Sequence, residues 1–112
     1  MTLGAKQRKF TLMLAELIQF AYANGYELTF GEAYRDPRIA ELNAQAGTGI
    51  SNSLHSKRLA VDLNLFIIGV YQETSDSHKP LGDYWESIGG SWGGRFSKPD
   101  GNHYSLEHEG VR

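Results

Sequence analysis

Cysteine is missing from the chain, and its absence removes disulfides, thiolate-rich zinc knuckles and a thiol nucleophile at once. It leaves the compartment open, because a cysteine-free protein tolerates reducing and oxidising surroundings alike. Long apolar runs are missing too: no stretch approaches the roughly 18 residues of a membrane span. The N-terminal MTLGAKQRKF lacks the charged-then-apolar order of a secretory leader. The expectation is a protein made in the cytoplasm, without a membrane span, that reaches any other compartment by release through another agent. An excess of either charge is also lacking. The net charge is -2 and the one basic cluster is Lys6, Arg8 and Lys9, so nucleic acid is not an expected partner.

What is present fits one domain over residues 1–112, monomeric at this size, with 40% hydrophobic and 21% charged residues. A domain of this length buries a useful core with little stability to spare, so a metal tying distant segments together would help it.

Phe10, Met13, Leu14, Leu17, Ile18 and Ala21 recur at three- and four-residue steps, predicting an amphipathic helix over about residues 5–24 with Asn24-Gly25 as its stop. Tyr26, Leu28 and Phe30 alternate with Glu27, Thr29 and Gly31 as in a strand covered on one face. Asp36-Pro37 opens a short helix carrying Ile39, Ala40 and Leu42 and ending at Gly47. Residues 47–58 are small and polar and read as a loop. Leu59, Val61, Leu63 and Leu65 then alternate with Ala60, Asp62, Asn64 and Phe66, a second strand, and Gly69 turns the chain into a short return strand at 70–72. Ile67 and Ile68 are oddly apolar for such a turn. A helix with Leu81, Trp85 and Ile88 on one side follows, then a glycine-rich stretch from Gly89 to Gly101 and a last strand in which His103, Ser105 and Glu107 share a face. The sum is α+β: helices packed on one face of a small, largely antiparallel sheet.

Four histidines are few enough to weigh singly. His78, in Ser-Asp-Ser-His-Lys-Pro, reads as a histidine of a solvated turn, and His108 as a surface residue between acidic neighbours. His55 and His103 each have a carboxylate at short range. Asp62 stands on the side of its strand opposite Val61 and Leu63, next to the small Ala60; a carboxylate there needs a cation, a metal or strong hydrogen bonds. Lys57, Arg58 or water could satisfy it. Taken together, His55, Asp62 and His103 form the two-imidazole, one-carboxylate set of a catalytic zinc site, whose fourth position is left to water. Asp100 would then be a spare carboxylate able to accept a proton from that water. Glu107 competes for this role, but four residues along a strand cover about 13 Å, which is far for such contact.

The run Ser53-Leu54-His55-Ser56-Lys57-Arg58-Leu59-Ala60-Val61-Asp62 resembles the Ser-x-His-x-x-Gly-x-Ala-x-Asp signature of zinc D-alanyl-D-alanine carboxypeptidases and related phage endolysins. Ser53, His55, Ala60 and Asp62 match; Arg58 stands where the family usually has glycine, which implies a somewhat different turn. Asp100-Gly101-Asn102-His103 resembles the family's acid-x-x-His segment, and Glu32-Ala33-Tyr34-Arg35 its Gly-Tyr-Arg segment. Trp92-Gly93-Gly94 also resembles phage members. The resemblance implies a hedgehog/DD-peptidase-like fold and Zn2+ on His55, Asp62 and His103. It makes Asp100 the base, and Arg35 and Ser53 substrate-facing residues, with Lys57 and Arg58 suited to an acidic peptide. The short chain looks most like a phage L-alanyl-D-glutamate endopeptidase acting on peptidoglycan stem peptides during lysis. The alternatives are a D-Ala-D-Ala carboxypeptidase and a non-catalytic wall- or protein-binding module on the same fold. Trp92 is either a cleft wall or a core residue; Tyr34 and Tyr104 read as packing residues.

Overall fold

The computed structural model describes residues 1–47 and 53–112. The first helix, α1, spans Leu3–Ala23 and is opened by Thr2, whose Oγ1 accepts from the Ala5 N–H. Its buried stripe is Phe10, Met13, Leu17 and Ala21, and Gly25, at φ 82°, lets the chain leave the helix. Strand β1 is Tyr26–Phe30, and α2 is Pro37–Gln45, capped by the Asp36 carboxylate on the Arg38 N–H. Only Ala40 of α2 is buried; Ile39 and Leu42, which the same helix carries, are exposed. The loop expected over 47–58 falls partly outside the described residues, and its end is a 3-10 turn at Leu54–Lys57.

Strand β2, Ala60–Ile67, is the spine of the sheet. It pairs antiparallel with β1 through its second half, with β3 (Val70–Tyr71) at its end, and with β5 (His103–Ser105) through Ala60, Val61 and Asp62. Strand β4, Ser91–Trp92, closes the other edge beside β5, giving the order β1-β2-β5-β4 with β3 beside β2. The third helix, α3, is Lys79–Ser87. Val61, Leu63 and Leu65 of β2 meet Phe10, Met13 and Leu17 of α1, Leu81 and Trp85 of α3, and Tyr104 in one core. The fold is α+β, with an antiparallel sheet.

The two isoleucines at the hairpin now have a physical account. Ile67 pairs with Val70, and Ile68 and Gly69 form the two-residue turn between them, both at positive φ (50° and 73°). That is the geometry a tight hairpin needs to match strand twist. Ile68 is 91% exposed at the tip.

Candidate metal centre

The register of β2 and β5 places Asp62 directly opposite His103. Alternation along β2 sends Val61 and Leu63 into the core and Asp62 to the other face. On its other side the Gly31 N–H donates to the Asp62 carbonyl at 2.8 Å, and the Asp62 N–H donates to the Glu32 carbonyl at 2.8 Å. A Cβ at Gly31 would lie 3.2 Å from the Asp62 Cβ, so the missing side chain leaves space beside the carboxylate.

His55 comes from the 3-10 turn. Ser53 caps that turn, its Oγ accepting from the His55 N–H at 3.2 Å, and the turn leaves through Arg58 at φ 57°, ψ 37°. This left-handed conformation explains why a glycine suits the position. Arg58 adopts this conformation as a non-glycine residue, and its guanidinium lies 4.2 Å over the Tyr34 ring.

His103 ends a tight turn that is held from several sides. Its N–H donates to the Asp100 carbonyl at 3.1 Å, and the Asp100 N–H donates to the Gly93 carbonyl at 2.9 Å. The Trp92 indole N–H donates to the Gly101 carbonyl at 2.7 Å, and the Gly101 N–H donates to Ser75 Oγ at 2.9 Å. A Cβ on Gly93 would fall 2.2 Å from the Asp100 carbonyl oxygen and 2.8 Å from the His103 Cβ, so only glycine lets these segments approach. The Phe96 ring packs against the His103 imidazole at 5.4 Å.

Three groups thus converge. Asp62 Oδ1 lies 3.4 Å from His55 Nε2 and 3.6 Å from His103 Nδ1, and the three side chains each offer an atom within 4.8 Å of the others. His55 and His103 are buried. Ligand atoms 2.0–2.1 Å from a tetrahedral ion sit roughly 3.3 Å apart, so the spacing fits one cation with little movement. An unmet polar valence fits it too: Asp62 Oδ1, the oxygen nearest both rings, is buried without a hydrogen-bond partner among the described residues. Burial pushes the Asp62 carboxyl up, but the imidazoles of His103 and His55 outweigh it and hold the group at about 2. Its partners are these rings rather than Lys57 or Arg58. Asp100 lies close enough to feel the same charges. Partial burial and the negative Asp62 raise its carboxyl above the ordinary value, against the opposing pull of His103 and His55. It borders a polar recess with Gln72, Glu73, Ser75 and Asn102.

Arg35 sits beside this group but is engaged. Its Nε donates to Glu32 Oε1 at 2.9 Å, its Nη2 donates to the same oxygen, and its Nη1 donates to Ser53 Oγ at 3.4 Å. Glu107 is not on the His103 face, because β5 ends at Ser105; its side chain is exposed and its carbonyl accepts from Lys6 Nζ at 3.1 Å. His78 is not a solvated histidine: it is buried, with Nδ1 2.8 Å from the Tyr104 hydroxyl. His108 is partly covered, with Nδ1 3.2 Å from Lys6 Nζ. Trp92 is a core residue, 4% exposed. Sequence reasoning did not foresee that Ser75 and Gly93 hold the Asp100–His103 turn; the Gly93-Gly94 pair ahead of an acid-x-x-His segment was the available signal.

A family model described as D-alanyl-D-alanine carboxypeptidase matches residues 46–106, just over half of the chain. The chain belongs to this family. The matched span holds His55, Asp62, Asp100 and His103, so the group assembled on β2, β5 and the 3-10 turn lies within the carboxypeptidase-family region of a peptidase. The fold is similar to the crystal structure of the Serratia marcescens L-Ala D-Glu endopeptidase ChiX, with a TM-score of 0.75 at 18% identity over 89% of this chain and 79% of that one. At that identity the likeness is one of fold. No curated protein matches the chain. Among the described residues no helix is long and apolar enough to cross a membrane.

Proposed function

We propose that the protein is a zinc-dependent peptidase that hydrolyses the L-Ala–D-Glu bond of peptidoglycan stem peptides, acting on the cell wall in the manner of a phage endolysin. The observation that carries this reading is the convergence of His55, Asp62 and His103 within 4.8 Å, with the Asp100 carboxyl close enough to feel their charges. Two imidazoles and one carboxylate are a donor set suited to zinc, and three protein ligands leave room for water. A structural zinc would require a fourth protein ligand.

His55, Asp62 and His103 would hold the ion. When bound, it supplies Lewis acidity, easing deprotonation of water and polarising the scissile carbonyl. Asp100 accepts the proton of the attacking water on a carboxylate oxygen and passes it to the departing amine nitrogen. Its raised affinity for a proton, with Asp62 as a cause, suits a group that must take and return one. Arg35 offers substrate the N–H groups that Glu32 and Ser53 leave free. Ser53 acts through Arg35 and through the turn that carries His55. Lys57 lies on the same turn as His55, near enough in sequence to favour an acidic peptide.

The family's description favours one second reading, removal of the terminal D-Ala by the same residues. Metal content of wild type and His103→Ala, followed by digestion of purified peptidoglycan, tests both. One zinc per wild-type chain, lost in the variant, with new L-Ala carboxyl and D-Glu amino termini, is the expected result. Released D-Ala instead would select the carboxypeptidase. A wild type that takes up no zinc and cleaves nothing would overturn the enzyme and leave a binding module.

A further inference from the structure

His55 presents its two ring nitrogens to two different carboxylates. Nε2 faces Asp62 Oδ1 at 3.4 Å, which puts Nδ1 on the far side of the ring. There Nδ1 is buried and without a hydrogen-bond partner among the described residues, and Glu32 Oε1 lies 3.9 Å from it. A neutral imidazole carries one N–H, and a nitrogen that is to bind a cation must be the other one. If Nε2 serves the metal, the proton sits on Nδ1, and a buried N–H requires an acceptor.

Glu32 is the acceptor the geometry supplies. Its Oε1 is held by Nε and Nη2 of Arg35. Arg35 is fixed in turn by Ser53 Oγ and by donation of its own N–H to the His55 carbonyl at 3.4 Å. Ser53 Oγ also accepts from the His55 N–H. Glu32, Arg35, Ser53 and His55 therefore close a ring of contacts around one imidazole. The gap of 3.9 Å exceeds a direct bond by about 1 Å, and the terminal torsion of a glutamate is soft enough to close it.

We infer that Glu32, held by Arg35, is the positioning residue of the metal centre: it accepts the Nδ1–H of His55, fixes that tautomer and turns Nε2 toward the ion. The inference rests on His55, Asp62 and His103 being the metal ligands, and it gives the Arg35–Glu32 pair a task besides substrate contact. An outer carboxylate on a ligating histidine fixes the ring and raises its basicity, and its loss weakens metal binding ~10–100-fold.

Glu32→Ala and Glu32→Gln separate this role from that of a mere counter-ion to Arg35, since the glutamine keeps an acceptor for Nδ1–H but loses the charge. Two readouts apply: the His55 tautomer by 15N NMR of the metal-free protein, and zinc affinity by chelator competition. Wild type and Glu32→Gln should show Nδ1–H and bind zinc within a few-fold of each other, whereas Glu32→Ala should mix tautomers and bind ~10–100-fold more weakly. Should Glu32→Ala fail to fold, the wild-type tautomer still decides: Nε2–H on His55 overturns the inference. Unchanged zinc affinity in a folded Glu32→Ala overturns it while leaving the metal ligands in place. A wild type with the Nδ1–H tautomer that binds no zinc overturns the ligand assignment itself, and this role with it.

Discussion

Asp62 and His103 are direct cross-strand partners on β2 and β5, and Asp62 Oδ1 stands 3.6 Å from His103 Nδ1. Strand pairing thus sets this part of the site. A one-residue slip in register would turn one of the two side chains into the core. His55 is brought to the same carboxylate by a turn only seven residues upstream, so two of the three candidate ligands are local in sequence and the third comes from the 100–103 turn. That turn is where the structure invests its hydrogen bonds.

Asp100→Asn should leave metal uptake and fold intact and lower the rate of peptide cleavage by ~10²–10⁴. The side chain keeps its shape but loses the ability to accept a proton. Zinc content per chain together with single-turnover cleavage checks this. A variant that retains most of its rate would move the base elsewhere.

Gly93→Ala should cost ~1–3 kcal/mol or more, because the new methyl would meet the Asp100 carbonyl oxygen at 2.2 Å, and backbone cannot step aside as a flexible side chain can. Since the same methyl presses on the His103 Cβ at 2.8 Å, zinc affinity should fall with stability. Gly4→Ala is the control: its methyl meets only the Arg8 guanidinium at 3.5 Å in α1, and helix propensity should add up to ~1 kcal/mol. Urea unfolding of both variants, with chelator competition on the first, reads the two effects.

Much of this was legible in the chain, for identifiable reasons. Phe10, Met13, Leu17 and Ala21 announce α1 through their period, and Tyr26–Phe30 and the β2 alternation announce their strands, because one covered face imposes the pattern. The set His55, Asp62 and His103 was legible because few residue types suit a metal and because the segments that carry them resemble a family signature. His78 was not: its burial depends on the Tyr104 hydroxyl 26 residues away, and polar neighbours in sequence say nothing about that. Glu107 was misplaced because alternation does not say where pairing stops; β5 is only three residues long, flanked by β2 and β4. The Ile68 turn was hidden because a β-branched residue at positive φ runs against local preference.

Arg58→Gly should leave stability within ~1 kcal/mol of wild type. A left-handed arginine costs roughly 1–2 kcal/mol, which glycine relieves. Against this stand the loss of the exposed stacking on Tyr34, ~0.5–1 kcal/mol, and the freer unfolded chain, ~0.5–1 kcal/mol. Arg58→Val loses the stacking and adds branching at φ 57°, and should cost ~1–3 kcal/mol. Thermal unfolding of the pair checks the conformational account. If valine is tolerated as well as glycine, residue 58 does not hold a left-handed conformation in the folded protein.

The pH dependence of stability should carry a contribution from His78. Burial depresses its imidazole to about 4, well under the ordinary value of 6.5, and the ring stays neutral against Tyr104, whose own hydroxyl is pushed far up by burial. Between pH 6.5 and about 4 the unfolded chain binds a proton that the folded chain refuses. Stability from this group is therefore complete above 6.5, falls as the pH drops through that window and levels off below about 4. The full loss is on the order of 3 kcal/mol, since each pKa unit is worth about 1.4 kcal/mol. His78→Asn offers the Tyr104 hydroxyl a polar partner that does not titrate. Comparing wild type and His78→Asn by urea unfolding at pH 7 and pH 5 cancels the carboxylates common to both. Wild type should lose more stability than the variant over that interval, and equal losses would mean that His78 is not held neutral in the core.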